Sequence, residues 1–237
     1  MMEGIAWNYM HWFYSQMDRV YVNSQKYLER WVEKGLPREK LAILPRGLET
    51  EVFDLRHRDF HFWKKRGARG KVVLYVGRIS KEKELEFLSR VVERMRGDTE
   101  TSFAFVGEGP LLPELKKKLP HALFTGPLHG ADLSSAYASA DLFVFPSTTD
   151  TYGNVVIEAM ASGLPVLVSH QGGPRELLRD PADGEVVGGD AGDWEKAIRR
   201  ILHAEGGEEG RRARRERTIA GRKWGDAFQR FWNEGLL

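Results

Sequence analysis

From Lys71 onward the chain alternates two kinds of pattern. Short continuous apolar runs, KVVLYVG at 71–77, TSFAFVGEG at 101–109, ALFTG at 122–126, DLFVFPS at 141–147 and PVLVS at 165–169, are separated by amphipathic stretches at 83–96, 111–118, 132–140 and 155–162. Apolar runs without polar alternation mark strands covered on both faces, as parallel strands are in βαβ units. Five such runs with helices between them predict the α/β class and a doubly wound, Rossmann-like parallel sheet; the crossover rules leave few other arrangements. In such sheets ligands bind beyond the carboxyl ends of the strands. Those ends carry Gly77-Arg78, Gly107-Glu108-Gly109-Pro110, Gly126-Pro127 and Pro146-Ser147.

Before residue 71 the pattern is less regular. RVYVN at 19–23 and LAIL at 41–44 read as short strands around a charged helix at 25–34, closed by Gly35, Leu36 and Pro37. The first nineteen residues crowd Trp7, Tyr9, Trp12, Phe13 and Tyr14 together. A helix at a membrane interface would use such rings, but no Lys or Arg precedes Arg19 to meet anionic lipid, so packing against protein is the expectation. No apolar run approaches the ~20 residues of a membrane span, and the start lacks the features of a signal peptide. The tail from Gly206 carries RRARRER and then GRKWGDAFQRFW. With Glu205, Glu208, Glu209 and Glu216 interleaved, the basic run is expected to be a solvated helix face rather than a surface for acidic lipid or nucleic acid.

Composition narrows the classes. Lys plus Arg (36) nearly balances Asp plus Glu (34), which argues against a dedicated nucleic-acid binder. The absence of Cys removes disulfides, thiolate metal sites and thiol nucleophiles. Gly107-Glu108-Gly109 lacks the third glycine of a dinucleotide fingerprint, since Leu112 stands there, and neither a P-loop nor a G-x-S-x-G elbow occurs. His57 and His61 have a ligand-like spacing, but Arg56, Arg58, Lys64 and Lys65 beside them would repel a cation.

Two segments carry candidate chemistry. In GRISKEK a strand ends at Gly77, and Arg78 and Lys83 follow in the turn; they are either solvated surface cations or the forked and compact donors that a diphosphate requires. In STTDTYGNVVIEAMASGLPVLVS, Gly153 permits a tight turn before a helix whose first-turn amides form an anion site. Asp150 and Glu158 flank that site, and carboxylates there suit hydroxyl groups of a ribose and a sugar rather than phosphate. Cations, helix-end amides and two hydroxyl-seeking carboxylates together describe a nucleotide sugar.

GRISKEK, VGEGPLLPEL, FTGPLHGADLSSAYASADLFVFPSTTDTYGNVVIEAMASGLPV and GGPRE, in this order, resemble the retaining GT-B glycosyltransferases of family 4, over residues 19 to about 200. The resemblance implies that Arg78 and Lys83 hold the donor diphosphate and offset charge on the departing nucleotide. It implies that Glu158, second acid of an E-x7-E pattern, binds ribose, and that Asp150, in the first acid position, contacts the donor sugar near the reacting carbon. Gly153, Asn154 and Val155 would meet sugar and phosphate through their backbones. Gly77, Glu108, Gly109 and Leu128 would lie around the nucleotide. Asp150 replaces the commoner Glu, and Glu84 stands where Gly or Asn is usual.

The family's two-domain plan implies a division of the chain. Residues 1–55, ending in PRGLETEVF, would be the tail of an N-terminal acceptor domain. Residues 56–205 would be the donor-binding domain and 206–237 a helical tail. The expected activity is transfer of a hexose from a UDP- or GDP-linked donor to a sugar, lipid or glycan acceptor, with retained configuration and no metal or other cofactor. A non-catalytic nucleotide-sugar module and a UDP-sugar 2-epimerase are the alternatives. The expected setting is cytoplasmic, with peripheral attachment to the inner face of a membrane left open and no nucleic-acid partner. Unpaired strands or exposed apolar surface in the first segment would favour self-association or pairing with an acceptor domain.

Overall fold

The computed structural model describes residues 2–44, 46–204 and 206–235. The chain forms two compact units, one made of Met1–Leu48 with Gly221–Leu237 and the other of Glu49–Ala220.

The first unit opens with α1 (Met2–Ser15), followed by β1 (Val20–Val22), α2 (Gln25–Glu33) and β2 (Leu41–Ile43). Ser24 caps α2, its hydroxyl accepting from the Tyr27 N–H. The two strands pair with each other in parallel, Val20 opposite Leu41, so neither is left alone as an unpaired strand. Val20, Leu28, Trp31, Leu36 and Leu41 form a small core, with Trp7, Met10 and Tyr14 of α1 packed on it. Trp7 and Tyr14 both meet the Trp31 ring edge-on, at 5.2 and 5.0 Å. Helix α1 therefore packs on protein with one face only. Tyr9, Trp12 and Phe13, on its other side, remain exposed, which is the apolar surface expected from the sequence. No described helix is long and apolar enough to cross a membrane.

The second unit is a six-stranded parallel sheet. Its strands are β3 (Lys71–Val76), β4 (Thr101–Val106), β5 (Leu123–Gly126), β6 (Leu142–Phe145), β7 (Val166–Ser169) and β8 (Gly184–Val187). The helices are α3 (Leu85–Arg94), α4 (Leu112–Lys118), α5 (Gly130–Ala138), α6 (Asn154–Ala161), α7 (Ala191–His203) and α8 (Gly207–Ile219). The five apolar runs read from the sequence are β3 to β7. Strand β8 and helix α7 are additions; GEVV is short, with Val186 exposed, so it gives little apolar signal.

Strand order is β5-β4-β3-β6-β7-β8, which in this unit's own count is the 3-2-1-4-5-6 of the doubly wound dinucleotide folds. The order reverses between β3 and β6, which pair through Val73–Leu142 and Leu74–Phe143. Loops leaving these two neighbours diverge, one toward each half of the sheet, and leave a crevice at their carboxyl ends.

Helix α8 corrects the expectation for the basic run. Arg211 and Arg214 are 6% and 8% exposed, not solvated. The Arg211 guanidinium donates to the carbonyls of Ala138 and Ala140, just before β6. Arg214 donates to Gly163, just before β7, and to Ala182, just before β8. Arg217 pairs with the buried Asp183 at 2.8 Å. Burial, with Arg211 beside it, pulls the Arg214 pKa down to about 10, so it keeps its charge near neutrality. These arginines fasten the amino ends of three strands, opposite the crevice. After α8 the chain returns to the first unit as α9 (Trp224–Gly235), entered through a pairing of Leu48 with Lys223. The stretch read as one tail from 206 is thus shared between the two units.

The same run offers an internal control. Arg214→Ala strips the donors from two carbonyls, at about 1–3 kcal/mol each. The expected result is a melting temperature lower by several degrees. Arg212, exposed in the same turn, should tolerate alanine within about 0.5 kcal/mol. Thermal melts of the two variants side by side check this.

Candidate functional site

The crevice is built from two pairs of loops. On the β3 side, the turn after Val76 and the turn after Val106 are zipped by backbone bonds. The Gly77 N–H donates to Val106 O at 3.0 Å, Ile79 N–H to Glu108 O at 2.8 Å, and Leu111 N–H to Ile79 O at 3.0 Å. The approach is so close that a Cβ on Gly107 would stand 2.0 Å from the Gly77 carbonyl oxygen. Only glycine fits there. The zipped loops line a cavity of 820 Å³ containing Gly77, Arg78, Glu108 and Gly109, walled by Pro110, Leu112, Pro113 and Pro127. Leu128 follows that wall, half-buried, but does not line the cavity.

Arg78 is exposed on the cavity rim. Lys83 ends a single 3-10 turn, Lys81–Lys83, and is half-buried. Its ammonium lies 2.9 and 2.8 Å from the two carboxylate oxygens of Asp150, which comes from the loop after β6. Residues 67 apart in the chain therefore meet across the strand-order reversal, above the ring of Phe145 at 5.9 Å. Each side chain keeps about a fifth of its surface in solvent (22% and 21%), enough for a ligand to reach both.

Further contacts tie the two loops together. The Thr149 hydroxyl donates to Glu82 O at 3.3 Å and the Ser147 hydroxyl reaches the same oxygen at 3.5 Å. The Glu82 carboxyl is held below its ordinary pKa, first by the Ser80 hydroxyl and to a lesser degree by the charges of Arg78 and Lys83. Glu84, the departure noted in the sequence, adopts a left-handed conformation with φ 56°. This conformation explains why Gly or Asn suits the position, since a side chain there costs roughly 1–2 kcal/mol. Its carboxylate accepts from the Thr148 hydroxyl at 3.4 Å.

On the other side, Gly153 (φ 81°) turns the chain into α6, and a Cβ there would lie 2.8 Å from Pro174 Cγ. Asn154 and Val155 follow in the first turn, where helix N–H groups have no acceptor within the helix. Gly173, in the GGPRE segment, donates its N–H to Asp150 O at 2.9 Å and so braces the loop that presents the carboxylate. Glu158, half-buried one turn inside α6, accepts at Oε2 from the Tyr137 hydroxyl at 2.9 Å.

The structure thus brings Lys83 and Asp150 into contact and sets Gly77, Arg78, Glu108 and Gly109 around one cavity. Gly153, Asn154, Val155 and Glu158 lie along the start of α6. Sequence reading missed Tyr75 and Tyr137. Both are buried, Tyr75 in the apolar run of β3 and Tyr137 among Ser and Ala on α5, so their only signal is a hydroxyl where Phe would serve. Tyr75 donates to Arg78 O at 2.9 Å. Burial, and secondarily Asp150, push its pKa far above the ordinary tyrosine value. His57 is occupied with the Glu51 carbonyl at 2.9 Å, in keeping with a structural role. Among the described residues no group of three or more His, Asp or Glu side chains is placed to hold a metal ion. Chemically, the site can pair with anions through its cations and helix-end amides, and accept from hydroxyl groups through its two carboxylates.

Known proteins resemble this chain. The family model described as "Glycosyl transferases group 1" matches residues 70–204. The sulfoquinovosyl transferase SQD2 of Arabidopsis thaliana is 38% identical over 173 residues, covering 69% of this chain and 33% of that protein. A GDP-mannose-dependent alpha-mannosyltransferase of Mycolicibacterium smegmatis is 36% identical over 174 residues, covering 73% of this chain and 45% of that protein. The matched part thus amounts to a third to under a half of these relatives' length. Among solved structures, a glycosyltransferase from Rickettsia africae superposes with a TM-score of 0.81 at 15% identity, covering 95% of this chain and 66% of that one. Anabaena HepE in complex with UDP gives a TM-score of 0.79 at 20% identity, covering 93% and 64%. With its Rossmann-like sheet and the motifs at its strand ends inside the matched region, the chain belongs to the group 1 glycosyltransferases.

Proposed function

We propose that residues 49–220 bind a nucleotide-diphosphate sugar, and that the chain supplies the donor half of a retaining hexosyltransferase using a UDP- or GDP-linked donor. The meeting of Lys83 with Asp150 at the strand-order reversal carries this reading. It sets a phosphate-seeking cation and a hydroxyl-seeking carboxylate 3 Å apart, at the position where doubly wound sheets bind nucleotides. The names of the relatives support both kinds of donor: one is GDP-mannose-dependent, and a structural neighbour was crystallised with UDP.

In this reading the nucleoside occupies the cavity beside Glu108 and Gly109, and Glu158 accepts from its ribose hydroxyls. The diphosphate runs toward Arg78, Lys83 and the N–H groups of Asn154 and Val155. A phosphate oxygen arriving at Lys83 competes with Asp150 for the ammonium. Asp150 is then released to accept from hydroxyls of the donor sugar. Bond breaking at the anomeric carbon places negative charge on the departing diphosphate, where the two cations already stand. Preformed donors of this kind lower a barrier because nothing must reorganise as charge develops. The acceptor hydroxyl attacks from the face that the diphosphate leaves and gives its proton to the departing phosphate, so the configuration is retained. No step in this scheme calls for a metal. The first unit, in the same proposal, belongs to the tail of the acceptor domain, whose acceptor is a sugar, lipid or glycan.

The first test is a thermal melt with UDP, GDP and ADP, each in large excess. Ligand at about 100 times its dissociation constant adds ~2.7 kcal/mol, and one of the first two nucleotides is expected to raise the midpoint. A cooperative melt unmoved by all three would sink the proposal. A second test separates the phosphate contacts from those to the nucleoside. Lys83→Ala and Arg78→Ala should each weaken the effective diphosphate about 10- to 100-fold, as expected for loss of a charge-assisted hydrogen bond. The corresponding nucleoside should bind them as it binds the unaltered protein. Equal affinity for the diphosphate in calorimetric titration would remove these residues from the phosphate site.

A further inference from the structure

One aromatic row runs beneath the site and ends in a hydroxyl on each side. Phe143 and Phe145 are alternate residues of β6 and so share a face of the sheet, with rings 6.2 Å apart. Tyr75 stacks on Phe145 at 6.3 Å, and Tyr137 meets Phe143 at 5.8 Å. Tyr75 is 1% exposed and Tyr137 is 0% exposed. Each nevertheless sends its hydroxyl to a group of the candidate site, Tyr75 to a backbone carbonyl and Tyr137 to the carboxylate of Glu158.

The second of these contacts has the more specific consequence. A hydroxyl on a fully buried ring is costly unless it is bonded, and phenylalanine would fill the same space without that requirement. Phe53 stands edge-on to the Tyr137 ring at 5.7 Å, and Phe143 meets it as well, so the ring has little room to swing. Burial, and after it the nearby Glu158, hold the phenol protonated far above its ordinary range, so it remains a donor. A rigid donor 2.9 Å from Oε2 constrains rotation of the carboxylate about its last bond. Each carboxylate oxygen has two acceptor positions, so the single bond from Tyr137 does not by itself exhaust the carboxylate.

We infer that Tyr137 is a positioning residue. It orients the Glu158 carboxylate so that it accepts from the vicinal hydroxyls of the donor's ribose. The inference rests on the proposed role of Glu158 and adds a determinant of ribose recognition on a neighbouring helix.

The test is titration calorimetry with UDP or GDP, whichever shifts the melt, and with its 2′,3′-dideoxy counterpart. The unaltered protein should prefer the ribose form by roughly 10- to 100-fold, the range expected for hydrogen bonds to a charged acceptor. In Tyr137→Phe the dideoxy nucleotide should bind within about twofold of normal, while the ribose preference falls to about threefold or less. Glu158→Ala should abolish the preference, and Tyr137→Phe should add nothing in that background, since the two act as one unit. A full preference retained in Tyr137→Phe overturns the inference, and so does equal weakening of both nucleotides, which marks a purely structural role. Should Tyr137→Phe fail to melt cooperatively, Glu158→Ala decides, and a preference surviving there overturns the inference as well. An unaltered protein that binds the diphosphate but ignores the ribose hydroxyls refutes this inference and leaves diphosphate binding in place. No diphosphate binding at all refutes both.

Discussion

The parallel pairing of β3 with β6 is the constraint on which the second unit depends. It places side by side two strands that are 65 or more residues apart and whose connections run to opposite halves of the sheet. Everything at the crevice follows from that neighbourhood. The loop after β3 delivers Arg78 and Lys83, and the loop after β6 delivers Asp150. The apolar side chains beneath, Tyr75 and Phe145, pack because their strands are adjacent. A one-residue slip in this register would turn the aromatic row to the opposite face of the sheet and part the ammonium from the carboxylate.

Charge is used differently at the two ends of this sheet. At the amino ends of β6, β7 and β8, Arg211 and Arg214 are buried and committed to main-chain carbonyls, so their role is to satisfy acceptors that the strand connections would otherwise leave without donors. At the carboxyl ends, Lys83 and Asp150 satisfy each other while remaining partly open to solvent. A pair bound in that way can exchange its partner for a ligand at modest cost. A guanidinium with a buried set of carbonyls has no comparable exchange available, because leaving any of them bare is expensive.

Backbone conformation supports the same division. The close crossing at Gly107 and the left-handed turn at Gly153 put main-chain N–H groups where a side chain would obstruct them. Glu84 shows a non-glycine residue held in a left-handed conformation beside the site. The strain of order 1–2 kcal/mol is sustained because both flanking segments are held, the Lys81–Lys83 turn by the Ser147 and Thr149 hydroxyls on Glu82 O and α3 by its buried face.

Much of this was legible in order along the chain. The apolar runs at β3, β4, β6 and β7 identified buried parallel strands because strands covered on both faces need no polar alternation, while β5, at the sheet edge, is only half-buried. The glycines at their ends marked the loops that line the crevice. The family resemblance then named Arg78, Lys83, Asp150 and Glu158 as a set. Less was legible where a signal is local and ambiguous. GEVV at β8 is too short and too exposed to stand out. RRARRER reads as solvated because nothing in its neighbouring residues reveals the carbonyls of Ala138, Ala140, Gly163 and Ala182 that await it. The bond from Tyr137 to Glu158 was invisible for a similar reason, since the two residues lie 21 apart on different helices. The sequence by itself determined which segments are strands and which residue types gather at their ends, because burial and turn formation act over a few neighbouring positions. Only the tertiary structure decided which charges are used up inside the protein and which stay partly open to solvent. That outcome depends on partners brought together by strand order, and strand order is a property of the whole sheet.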